Sequence, residues 1–136
     1  MWKLNTESAG ERRSPKESDI DAALVEARRA GGFVILSRAP EDYMQTDGRM
    51  VEVRRDGRHL RLETEHEQPV DGETLRNLFA SFFRDHEEWR HASWRDVGDE
   101  LNTTHRPGAA SGRAAVGTLA AIALVGSAAL IWWLTR

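Results

Sequence analysis

The stretch Val51-Glu-Val-Arg-Arg-Asp-Gly-Arg-His-Leu-Arg-Leu62 decides the fold. Apolar and charged residues alternate on both sides of Asp56-Gly57. Asp-Gly suits a two-residue type I′ hairpin turn, in which both central residues take positive φ. Such a loop sets Arg55 opposite Arg58, and hence Arg54 opposite His59, Val53 opposite Leu60, Glu52 opposite Arg61 and Val51 opposite Leu62. One face of the hairpin is then apolar and the other charged.

The same reading extends toward the N-terminus. Asp47-Gly48 predicts a second tight turn, joining a strand at Tyr43–Thr46 to one at Met50–Arg54. With two residues in that loop, Met44 falls opposite Val51, while Tyr43 and Gln45 share the polar face with Glu52. The apolar run Phe33-Val-Ile-Leu36 reads as a fourth strand buried on both faces.

Two helices complete the expected layout. Ser18 and Asp21 suggest a cap, Ile20, Ala23, Leu24 and Ala27 follow at helical spacing, and Gly31-Gly32 ends the run. Asp71 caps a second helix, whose Leu75, Leu78, Phe79, Phe82 and Phe83 recur at i, i+3, i+4, i+7 and i+8. Trp89, Trp94 and Val97 follow without clear period and predict a short helix or turn against the sheet edge.

Around this domain, residues 1–17 are polar, include Pro15 and read as a disordered leader, while 98–113 read as a flexible linker. From Ala114 to Leu134 the chain carries no charge, and 21 residues at about 1.5 Å each match the roughly 30 Å hydrocarbon core of a bilayer. Trp132, Trp133, Arg113 and Arg136 flank this segment as interface residues. Gly117 with Ala121, and Ala123 with Ser127, are small-residue pairs suited to helix packing in the membrane. The fold class expected is therefore α+β, a small four-stranded, mostly antiparallel sheet covered by two amphipathic helices and followed by one C-terminal transmembrane helix. Arg106 and Arg113 before the span, against Arg136 after it, place the domain at 18–97 on the cytoplasmic side.

Composition removes several functional classes. Residues 1–105 hold 16 Lys and Arg against 22 Asp and Glu, a net of −6, which disfavours binding to nucleic acid phosphates. The absence of cysteine excludes thiolate metal sites, disulfides and cysteine nucleophiles. His86 and His91 stand five apart, about 140° round a helix, so no metal site is expected from them. No glycine-rich phosphate loop or nucleophile, base and acid constellation appears, and no cofactor is expected.

The candidate partner-binding residues are Tyr43, Gln45, Arg54, Arg58, His59 and Arg61 on the hairpin face, with Trp89 and Trp94 as aromatic anchors. Together these features predict a tail-anchored, non-catalytic domain that binds a protein partner, an integral membrane complex included, as adaptor, regulator or accessory subunit. Two alternatives are a membrane-held inhibitor of a toxin or enzyme, and a membrane-proximal enzyme using His59 and the hairpin arginines.

Overall fold

The computed structural model describes residues 1–99. Strands β1 (Lys3–Thr6), β2 (Gly10–Arg13), β3 (Val34–Ala39), β4 (Asp42–Thr46), β5 (Val51–Arg55), β6 (Arg58–Leu62) and β7 (Trp94–Asp96) alternate with helices α1 (Glu17–Ala30) and α2 (Gly72–Phe83). The strands form one sheet in the order β2-β1-β3-β4-β5-β6-β7, antiparallel throughout.

The central hairpin has the register that its sequence dictates. Glu52 pairs with Arg61, Val53 with Leu60, Arg54 with His59 and Arg55 with Arg58. Asp56 and Gly57 take φ of 55° and 73°, the left-handed pair that a type I′ turn requires. The preceding loop departs from expectation: Met44 pairs with Val53, and Thr46 with Val51. The reason lies in Asp47, whose Oδ1 accepts from the backbone N–H groups of Arg49 and Met50, both at 2.9 Å. This side-chain turn draws Met50 out of the strand and makes the loop four residues long. Met44 stays on the apolar face because the shift is by two. Gly48, at φ 91°, lies so close to α1 that a Cβ there would sit 2.5 Å from the carbonyl oxygen of Ala27.

One face of the sheet presents Leu4, Val34, Leu36, Met44, Val51 and Val53, and the two helices cover it with Ile20, Leu24 and Ala27 from α1 and Leu75, Leu78, Phe79 and Phe82 from α2. Helix α1 is capped at Lys16, two residues before the expected Ser18, because Asp19 Oδ2 accepts from the Lys16 backbone N–H at 2.8 Å. Helix α2 is capped by Asp71 as expected, its Oδ1 accepting from Thr74 N–H at 2.8 Å. The helices are joined by ion pairs of Arg84 with Glu17 and of Arg76 with Asp21.

Two features correct the expected architecture. The sheet has seven strands, not four. Residues 3–6 and 10–13, expected in a disordered leader, form β1 and β2, and Trp94–Asp96, expected as helix or turn, forms the edge strand β7. Trp2 and Leu4 explain the first: Leu4 joins the core, and the Trp2 ring meets Phe82 edge-on at 5.6 Å and Phe83 at 5.4 Å. Burial of these two side chains fixes a segment whose remaining residues are polar. The second correction concerns the expected transmembrane, tail-anchored organisation. Among the described residues no helix is long and apolar enough to cross a membrane. The segment 114–134, with Gly117, Ala121, Ala123, Ser127, Trp132 and Trp133, and the flanking Arg113 and Arg136, lies outside the described residues. The described fold is an α+β sandwich of one seven-stranded sheet and two helices, with no membrane helix in it.

Candidate functional site

Strand alternation carries a polar set to the face opposite the helices. Cross-strand pairing lines up Tyr43, Arg54 and His59 in one row and Gln45, Glu52 and Arg61 in the next. Glu52 is the hub. Its Oε2 accepts from Gln45 Nε2 at 3.0 Å and meets His59 Nε2 at 2.9 Å, and its Oε1 accepts from Arg61 Nη2 at 3.0 Å and Nε at 3.2 Å. Burial alone would raise the Glu52 pKa, but His59, Arg61 and Gln45 together hold it below the ordinary carboxylate value. A charged Glu52 assigns the His59 proton to Nε2 as donor.

These residues were expected on an exposed face, and they are enclosed. Tyr43 is 4% exposed and Glu52 8%, and Gln45 and His59 are buried as well. Arg54, less enclosed, pairs with Glu41. Arg58 turns away from the set and pairs with Asp96 on β7 at 3.7 Å. Trp89 and Trp94 are elsewhere. Trp89, 2% exposed, packs in the helix-side core, edge-on to Phe82, and Trp94 leans on it with Nε1 donating to the Trp89 carbonyl at 2.8 Å.

Tyr43 offers a direct readout of this enclosure. Burial pushes its phenol up to about 12, with Glu52 and Glu41 adding to the shift and Arg54 opposing it. The chain has one tyrosine, so alkaline difference absorbance reports it alone. The Tyr43 contribution to stability is expected to be constant below pH 10, where the phenol is protonated in both states. Between 10 and 12 it falls by about 2–3 kcal/mol, because only the unfolded chain ionises. A tyrosinate midpoint near 10 in the folded protein contradicts this account.

A second charged cluster escapes any sequence reading. Arg55, 8% exposed, sits over the Phe82 ring at 4.5 Å, donates from Nε to Asp42 at 2.7 Å and reaches Asp85 from Nη1 at 3.4 Å. Arg38 meets the same two carboxylates at 2.9 and 3.2 Å. Two cations and two anions thus brace the start of β4 against the end of α2. The formal charges of the four groups cancel.

An accessible edge lies at the β2 end of the sheet. Strand β2 ends the sheet, and its residues are largely exposed. Ser14 N–H donates to the Trp2 carbonyl at 2.9 Å. In an antiparallel ladder hydrogen-bonded and non-hydrogen-bonded pairs alternate. With Arg12 opposite Leu4 and Gly10 opposite Thr6, those two bond inward to β1, and Glu11 and Arg13 turn their N–H and C=O groups outward. Beside this edge, between β2 and α1, lies a cleft of about 410 Å³ with a floor of Leu4, Ala23, Ala27 and Val34. Arg12 closes one end through a 2.6 Å ion pair to Asp19 on α1. No family model, curated protein or solved structure matches the chain.

Proposed function

We propose that this domain is a non-catalytic protein-binding module, and that it binds through the β2 edge by accepting an added strand. The supporting observation is the outward-facing ladder of Glu11 and Arg13 next to an open cleft. Main-chain bonds to an edge give affinity, and alternate side chains that enter a neighbouring pocket give selectivity. Gly10 suits the pocket side of such an edge, because a Cβ placed on it would meet nothing within 4 Å.

The polar face supports this reading by committing Glu52 to Gln45, His59 and Arg61. Its His59 ring is enclosed and its Nε2 is committed to Glu52, which speaks against a role as a proton-transfer group for an external substrate.

The test is affinity capture with the full-length chain in parallel with Arg13→Pro, which removes one outward N–H and no bond to β1. Ala22→Trp, at an exposed helix position lining the cleft, is a second variant that leaves the ladder intact. Both are expected to keep the circular dichroism and melting profile of the parent and to lose its bound protein. If wild type binds nothing, or if both folded variants retain what it binds, the reading is wrong.

A further inference from the structure

We infer that the strand accepted by the β2 edge is β2 of a second copy of this chain. The inference rests on the edge-addition reading above and adds the identity of the partner, which the charges along β2 select.

Only Glu11 and Arg13 have outward main-chain groups, so a two-fold antiparallel pairing of two β2 strands has three registers to choose from. Glu11 can face Glu11 of the second copy, Arg13 can face Arg13, or each Glu11 can face an Arg13. The first two oppose like charges on adjacent strands, and the third gives two opposite-charge pairs and four main-chain bonds. In the single chain Arg13 Nε reaches back along its own strand to Glu11 at 3.4 Å, a longer and more exposed contact than a direct cross-strand pair. Charge therefore favours one register of the three.

That register also brings Arg12 opposite Arg12 at the two-fold axis. Repulsion there would disfavour pairing, but each Arg12 is already neutralised by Asp19 of its own α1 at 2.6 Å. The axis is perpendicular to the joined sheet, so both α1 helices lie on the same face of it, on opposite sides of the seam. Closing the seam satisfies the two edges at once, and it removes the open ladder that otherwise invites uncontrolled pairing.

Sedimentation velocity of the full-length chain over a wide range of concentration provides the test. Wild type is expected to show a reversible monomer to dimer equilibrium. Glu11→Arg places two arginines at the seam of each copy, and Arg13→Glu two glutamates, and each alone is expected to dimerise about tenfold more weakly. The double exchange Glu11→Arg with Arg13→Glu restores opposite charges across the seam and is expected to recover the dimer. An equimolar mixture of the two single variants is expected to form the mixed dimer in preference to either homodimer.

A wild-type chain that stays monomeric overturns the self-pairing, as does a dimer indifferent to both single changes or a double exchange that fails to recover it. Loss of captured protein in Arg13→Pro would still support edge binding to a different partner in the monomeric case. The two failures are thereby told apart.

Discussion

Glu52→Ala is expected to destabilise the domain by about 3–5 kcal/mol, the range seen when one partner of a buried ion pair is removed. The carboxylate accepts from Gln45, His59 and Arg61 in an enclosed position, so its loss deprives a guanidinium, an imidazole and an amide of their shared acceptor. Glu52→Gln keeps the shape and part of the bonding but not the charge, and is expected to cost less. Urea unfolding followed by tryptophan fluorescence measures both. A loss below 1 kcal/mol for the alanine variant would show that the network contributes nothing. The pH dependence follows from the depressed pKa of Glu52. Its contribution is complete above 4.5, the value of the unfolded carboxyl, and declines as pH falls below that through the lower folded value. The decline takes place because the unfolded chain binds the proton first. This part of the acid sensitivity is expected to disappear in Glu52→Gln.

Phe82→Ala is expected to be as damaging, again about 3–5 kcal/mol, and to lower the melting temperature by roughly 15 °C or more. Phe82 is fully buried and holds together three other groups. Trp2 and Trp89 each meet it edge-on at 5.6 Å, and the Arg55 guanidinium lies over it at 4.5 Å. Its removal opens a cavity, takes away one of the two rings that Trp2 meets and removes the nearer of the two rings beneath Arg55, the other being Trp89 at 5.5 Å. The adjacent Phe83, only partly buried, serves as the control and is expected to cost much less on truncation. Equal losses for the two alanine variants would contradict the packing described.

Legibility in the sequence followed how much each local pattern left to context. The β5–β6 hairpin was readable to the residue because Asp56-Gly57 sets loop length and alternation sets the faces. The loop at Asp47 differs from the two-residue turn that Asp-Gly suggests, since its side-chain hydrogen bonds compete with the tight turn and win. Strand β2, Gly-Glu-Arg-Arg, has no apolar residue, because an edge strand in this position buries almost nothing of its own. Its existence depends on Leu4 and on pairing with β1, neither of which is a local signal. The polar face was placed on the correct side of the sheet and given the wrong environment. Alternating polar residues read as a solvated surface, whereas the bonds of Glu52 to Gln45, His59 and Arg61 help to make enclosure tolerable. Arg55 was invisible as a buried charge because Asp42 and Asp85, which neutralise it, stand 13 and 30 residues away.

The order of the strands sets a sequence of assembly that runs against the sequence of synthesis. Strands β3 to β6 form an uninterrupted meander from Val34 to Leu62, each pairing with its neighbour across a short loop, and such local pairings close fastest. β1 and β2 leave the ribosome first, but β1 leans on β3, with Lys3 opposite Ser37 and the whole of α1 in between. Until β3 has emerged, the N-terminal ribbon is a lone pair of strands, marginal in water. The first part of the domain to be made is thus among the last to be secured.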